Sequence, residues 1–169
     1  YYVDPKYPAD SLVSRLNLKR YIHSVFFEDE RLWVPMVEGV SFRPLMFNTV
    51  QGGWSHLIRV RKAGVVSRHR HPDPVHGLVL KGSWHYIEHD WVAKKGTYIF
   101  EPPSETHTLV VDEGVEEMIT FFHVTGSLHY VDENGKAIGF DDVFTRIDLA
   151  RTHYEAIGLG ADYVRNFVR

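Results

Sequence analysis

The sequence predicts an all-β (mainly β) chain: a closed or nearly closed barrel of short strands with an N-terminal extension and C-terminal helices. Three observations predict it. Short apolar or alternating segments recur from Arg31 to Val131, separated by Gly, Pro and Asp/Asn turns. After Phe140 the apolar spacing changes from two to between three and four residues. No internal repeat, low-complexity stretch or linker divides the 169 residues, so one domain is expected over 1–169, with a barrel core over about 40–140 and a helical tail over 141–169.

At the N-terminus, Asp10 or Ser11 can cap a short helix over Leu12, Leu16 and Leu18. Arg31–Val37 and Phe42–Val50 are expected strands, and Pro35 and Pro44 mark them as edge-like. Gln51-Gly52-Gly53 turns the chain into the strand Trp54–Arg61, and Gly64 turns it again into Val65–His71. Gly77–Lys81 ends at Gly82, and Trp84–His89 alternates Trp84, Tyr86 and Glu88 against His85, Ile87 and His89. Lys94-Lys95-Gly96 is a hairpin turn before Thr97–Glu101, and Thr108–Val111, Glu117–Val124 and Leu128–Val131 complete the set. In the tail, Val143, Ile147, Ala150 and Tyr154 form one helical stripe, with Asp141 or Asp142 as N-cap and Gly158 and Gly160 beyond the end. A second short helix fits Asp162–Val168.

Composition removes several classes of function. The formal net charge of −3 and the lack of a basic-aromatic strip give no footprint for nucleic acid or a membrane surface. No apolar run approaches the roughly 18 residues that a membrane-spanning helix needs. With no cysteine, thiolate nucleophiles, disulfides and Cys-ligated metals are excluded, which fits a cytoplasmic setting. No G-x-S-x-G, phosphate loop or dinucleotide glycine fingerprint is present.

Histidine is the exception, with 11 residues, six of which (His69, His71, His76, His85, His89 and His107) lie between positions 69 and 107. His69 and His71 form an H-x-H on an expected strand, where residues two apart share a face. A strand ending in the Pro102-Pro103 turn can return His107 to the same point. Three neutral imidazoles converging from two strands make a metal site with open positions. Glu88, sharing a face with Trp84 and Tyr86, is a candidate fourth ligand or catalytic partner; Glu101, before the Pro-Pro turn, has a weaker claim. His85 and His89 fall on the opposite face and are expected at the surface. Trp54, Val75, Trp84 and Tyr86 are candidate walls of a substrate pocket, although the three aromatic rings also suit the core. His56, Arg59 and His123 can line the cavity but suit structural roles better.

Two segments resemble the paired motifs of the cupin family. Gly64–Gly82, with His69 and His71, is similar to the first motif. Gly96–His107, with Pro102, Ser104 and His107 at the motif spacing, is similar to the second, although Val111 stands where the family carries Asn. The resemblance implies a small jelly-roll barrel with a metal inside its mouth. The Glu ligand usual seven residues before the closing Gly of the first motif falls at Val75, so the chain resembles the three-His subgroup. A longer motif spacing would instead choose His76, which strand alternation opposes.

The runs HRHPDPVHGLVLKGSWHYIEHDW (69–91), EPPSETHTLV (101–110) and FDDVFTRIDLARTHYEAIGLGADYVRNFVR (140–169) together resemble the 2,4'-dihydroxyacetophenone dioxygenase family. That resemblance implies a non-haem Fe(II) enzyme, with Zn, Ni or Mn as alternative metals, that uses O₂ to cleave the bond between a ketone carbon and its hydroxylated neighbour. It implies a small aromatic hydroxyketone as substrate and a homo-oligomer, dimer or tetramer. A metal-dependent isomerase or hydrolase on the same barrel is the alternative enzyme, and a non-catalytic metal- or small-molecule-binding sensor is the alternative from another class.

Overall fold

The computed structural model describes residues 29–169. The expected helix over Leu12–Leu18 and the rest of the N-terminal extension lie outside the described residues. A 3-10 turn at Glu30–Leu32 leads into β1 (Val34–Val37), β2 (Val40–Asn48), β3 (Gly53–Val60), β4 (Gly64–Arg70), β5 (Val75–Lys81) and β6 (Ser83–Tyr86). These are followed by β7 (Ala93–Lys94), β8 (Tyr98–Glu101), β9 (Thr106–Val111), β10 (Met118–Val124), β11 (Leu128–Val131) and β12 (Ala137–Asp141). The chain closes with α1 (Val143–Ala156) and a 3-10 segment, Ala161–Asn166.

Two antiparallel six-stranded sheets form, in the orders β1-β2-β3-β10-β5-β8 and β12-β11-β4-β9-β6-β7. Their inner faces share one core, which includes Phe42, Ile58, Val79, Trp84, Leu109 and Phe122. The period of two is visible in the burial of β10, where Met118, Thr120, Phe122 and Val124 are buried and the residues between them are less so. In β3 every residue is buried. Its outward Leu57 packs with Trp33 and Leu45 in a second cluster, and Arg59 lies over the Trp33 ring at 4.1 Å. Burial of apolar area on both faces makes β3 a central strand rather than a surface one.

Several expectations change in detail. Pro35 is on β1, an edge strand, but Pro44 is on the interior strand β2. A register shift between Pro44 and Met46 accommodates the missing N–H there, so β2 is not edge-like. β6 stops at Tyr86, before the expected strand end at His89. β7 and β12 add to the expected strands; two residues and a Gly-interrupted segment carry little periodicity in sequence. Gly82 closes the β5–β6 turn at φ 68°, a left-handed conformation that favours glycine.

The tail is helical as expected, with a capping box: Asp142 Oδ1 accepts from the Thr145 amide at 2.8 Å, and Thr145 Oγ1 accepts from the Asp142 amide at 2.9 Å. Val143, Ala150 and Tyr154 are buried, and so is Arg146. The second helix is a 3-10 segment, after which the chain pairs alongside β2 through Phe47 N to Phe167 O at 2.8 Å and Arg169 N to Phe47 O at 2.7 Å. Tyr154 stacks on Phe167, and Tyr163 packs edge-on against both. No helix among the described residues is long and apolar enough to cross a membrane.

Candidate metal centre

β4 and β9 place His69 and His107 directly opposite each other, and His71 follows one residue beyond β4. The ring centroids lie 4.7 Å apart for His69–His107, 5.1 Å for His71–His107 and 6.2 Å for His69–His71. All three imidazoles are buried. The structure thus brings together the three histidines singled out by spacing. The turn after β8 fixes the third one: Ser104, at φ 77°, donates its amide to the His71 carbonyl at 2.9 Å. Non-glycine residues adopt this left-handed geometry rarely, and an unbranched side chain such as that of Ser104 meets less strain there than a β-branched one.

The carboxylate of the site is Glu101, at the end of β8, and not Glu88. Glu101 Oε2 lies 3.3 Å from His71 Nε2 and 3.6 Å from His107 Nε2. His69, Glu101 and His107 each offer a ligand atom within 4.8 Å of the others. The site therefore holds three imidazoles and a carboxylate, where the sequence led to the three-His expectation. Glu88 lies past the end of β6, so the alternation linking it to Trp84 and Tyr86 has already broken. Its carboxylate accepts from the Thr108 amide and hydroxyl, each at 2.8 Å, and from Arg68 at 3.1 Å. It braces the strand beside His107 rather than entering the site.

His71 Nε2 and His107 Nε2 are buried without a hydrogen-bond partner. Such orphaned atoms are costly unless something coordinates them, and their convergence on Glu101 has the donor chemistry of a divalent-metal site. The surroundings support ligation. His71 Nδ1 is 2.6 Å from the Asp73 carbonyl oxygen, which directs Nε2 inward, and Ser67 Oγ lies 3.1 Å from His69 Nδ1. Tyr86 stacks on His107 at 4.1 Å and donates its hydroxyl to Glu101 Oε1 at 2.7 Å.

Electrostatics differ between the three rings. Burial holds His69 well below the usual 6.5, reinforced by His107, His71 and Arg146. Burial also lowers His107, against the pull of Glu101. For His71 burial opposes the charged form, but the Glu101 carboxylate, 3.3 Å from Nε2, and the Asp73 carbonyl at Nδ1 outweigh it and raise the pKa. Burial pushes the Tyr86 phenol well up, and the Glu101 charge adds to this, so Tyr86 acts as a donor.

A cavity of roughly 470 Å³ opens from His69 and Glu101. Ile58, Val66, Val75, Leu109, Phe122 and Leu128 give it apolar walls. Of the four expected wall residues, Val75 and Tyr86 line it, whereas Trp54 and Trp84 do not. Both tryptophans are fully buried behind the wall: Trp54 Nε1 donates to His56 Nδ1 at 3.2 Å, and Trp84 Nε1 donates to Thr120 Oγ1 at 3.0 Å. His76 faces the other side of β5, with Nδ1 2.7 Å from the Tyr98 hydroxyl and its ring near Phe100. It is thus outside the site, as alternation required. His85 and His89 pair at the periphery with Asp112 and Glu105. Sequence reasoning missed Tyr130, Asp141 and Arg146, which line the polar end of the cavity, and gave His56 too small a part. The signal for Arg146 was its place on the buried stripe, three residues after Val143 and four before Ala150.

A paired-sheet β fold with a buried His-His-His-Glu cluster beside an apolar cavity is that of a cupin jelly roll. The chain belongs to the ChrR Cupin-like domain family, whose model matches residues 23–129. An RmlC-like cupin protein from Ralstonia eutropha JMP134 is 30% identical, over 75% of this chain and 83% of that one, with a TM-score of 0.70. An acetylacetone dioxygenase from Acinetobacter johnsonii is 18% identical over 80% of this chain and 95% of its own, with a TM-score of 0.67. The structure of SigE in complex with the anti-sigma ChrR from Rhodobacter sphaeroides matches at 17% identity, over 73% of this chain and 68% of that one, with a TM-score of 0.51. At such identities the last two share the fold. No curated protein matches the chain.

Proposed function

We propose that this chain is a non-haem Fe(II) dioxygenase that cleaves the bond between the ketone carbon and the hydroxylated carbon of a small aromatic hydroxyketone. The observation that carries the proposal is the junction of the metal-suited cluster with the apolar cavity, which is of a size for one substituted ring. Resemblance of three long segments to the 2,4'-dihydroxyacetophenone dioxygenase family supports the substrate class. Ferrous iron, held by His69, His71 and His107, would supply a redox-active centre and the open positions needed to bring hydroxyketone and O₂ together.

The chain's own residues perform the rest. Glu101 Oε2 faces the same point as the two orphaned imidazole nitrogens and accepts the proton released when the hydroxyketone binds as its anion. Tyr86 fixes the other carboxylate oxygen and so sets the rotation of Glu101. Val75, Leu109 and Phe122 hold the aryl group and exclude water from the reacting end. The ketone carbon leaves as an aromatic carboxylic acid and the hydroxymethyl carbon as formic acid. Each acid gains one oxygen atom, and O₂ takes up the four electrons the two carbons lose.

Oxygen uptake by the iron-loaded protein tests this. Consumption of one O₂ per 2,4'-dihydroxyacetophenone, with formate released, supports it. Conversion that proceeds anaerobically contradicts it and moves the site to Lewis-acid chemistry. A non-catalytic metal- or small-molecule-binding sensor is the second reading; metal or ligand binding with no turnover of any hydroxyketone is its signature.

A further inference from the structure

α1 carries Arg146 from outside the sheets into the wall of the cavity, where its side chain is 1% exposed. A guanidinium offers five N–H donors and no acceptor. Here Nη2 donates to Asp141 Oδ2 at 2.8 Å and to the Tyr130 hydroxyl at 3.3 Å. Nη1 meets the Met36 thioether at 3.0 Å, a weak acceptor, and Nε is buried with no partner. Both Asp141 oxygens already accept: Oδ2 also takes the Tyr130 hydroxyl at 2.6 Å, and Oδ1 takes Thr145 Oγ1 at 3.1 Å. The cluster therefore has unused donors beside an apolar cavity.

His56 adds one more. Its Nδ1 accepts from Trp54, so the proton of the neutral ring is on Nε2, and the residue lines the same cavity. Burial, and next the charge of Arg146, hold this imidazole neutral. The donor cluster is also in register with the metal centre. Tyr130 is the cross-strand partner of His69, with ring centroids 6.3 Å apart. The His69–Glu101 end and the donor cluster therefore line one and the same cavity.

We infer that Arg146, with Tyr130 and His56, forms a subsite for an oxygen on the substrate ring, at the end away from the chelating side chain, and that Arg146 determines specificity for it. The inference rests on the proposed hydroxyketone chemistry for the orientation of the ligand. It explains why a charged residue is buried in the apolar stripe of α1, where an aliphatic side chain would pack without a desolvation penalty.

The test measures affinity rather than turnover. The full chain, loaded with redox-silent zinc, is titrated calorimetrically with 4-hydroxyacetophenone and with its methyl isostere, 4-methylacetophenone. Neither compound carries the hydroxymethyl carbon, so neither is cleaved. The hydroxyl compound should bind about 10- to 100-fold tighter, as expected for a hydrogen bond to a charged donor in a dry site. Arg146→Lys should reduce that preference to within a few-fold, with zinc content and affinity for the methyl compound unchanged. Equal affinity of the unaltered protein for the two compounds overturns the subsite, and so does a preference that survives in Arg146→Lys. If Arg146→Lys does not fold, a crystal structure of the 4-hydroxyacetophenone complex decides: the ring oxygen within ~3 Å of the guanidinium supports the assignment, and its placement elsewhere ends it. Preference without dioxygenase activity leaves the subsite standing and removes the proposed reaction; turnover without preference removes the subsite alone.

Discussion

Val75 and Glu101 are directly opposite each other across β5 and β8, and both are buried in the wall of the metal-site cavity. The first motif of a carboxylate-bearing cupin has its acid at the Val75 position. In this chain the acid is on the neighbouring strand, one side chain away. Oε2 of Glu101 thus faces His71 and His107 while the motif position stays apolar and contributes to the substrate wall.

This exchange is testable by moving the carboxylate. Val75→Glu alone sets two acids side by side in a buried site, where like charges cannot both ionise without cost. Its turnover should fall by at least ~10²-fold. Combining it with Glu101→Val should recover metal content that Val75→Glu loses. Metal analysis of the two proteins checks this; a double variant no better than the single one means the two positions are not equivalent.

Glu101→Gln keeps the shape and the Tyr86 hydrogen bond while removing the proton acceptor. Turnover should drop by ~10²–10⁴-fold with metal content largely retained. Steady-state kinetics with metal analysis would show it, and full activity would take proton transfer away from Glu101.

His107→Ala and His69→Ala should each reduce bound metal to background, whereas His85→Ala, at the periphery beside Asp112, should not. Glu88→Gln should retain metal, because its oxygens are occupied by Thr108 and Arg68. Retention of full metal by His107→Ala would overturn the centre.

The metal-free protein should lose stability as pH falls from neutrality. His56 and His69 are both held well below 6.5 by burial, so the folded state keeps them neutral while the unfolded chain takes up protons below that value. Their contribution is complete above about pH 6.5 and is lost as pH falls toward the folded pKa. His71 is raised, so its contribution is present at low pH and lost as pH rises; it offsets only part of the trend. Urea midpoints between about pH 7.5 and about pH 5.5 measure this, and the slope should flatten in His56→Asn. A midpoint that rises on acidification would contradict the burial account.

The tail is part of the core as well as of the cavity. Phe167→Ala should cost ~3–5 kcal/mol, because the ring is fully buried against Phe47 and Tyr154. Denaturant melts check it. A chain ending near Phe140 should lose Arg146 from the cavity as well as this packing.

The three histidines were legible because two independent spacings, H-x-H on one strand and Pro102–His107 after another, converge only if both strands face one interior. The tail helix was legible from Val143, Ala150 and Tyr154. Glu101 was only partly legible, since the motif position is Val75 and the acid sits on β8, where its shared face with buried Ile99 was the available signal. Trp54 and Trp84 fill the core behind the cavity wall, a distinction not legible in a strand pattern, which says only which residues point inward. Arg146 and Tyr130 come from α1 and β11, far from the motifs in sequence, and only the folded register brings Tyr130 beside His69. Alternation extended past Tyr86 points Glu88 into the site, but β6 ends at Tyr86 and the alternation ends with it.

The proposed reaction inserts both atoms of O₂ across a carbon–carbon bond. A single turnover of iron-loaded protein with 2,4'-dihydroxyacetophenone under ¹⁸O₂ tests it most directly, with the products read by mass spectrometry. One labelled oxygen should appear in 4-hydroxybenzoate and one in formate. Label entering from water instead, or both acids forming without O₂, would contradict it.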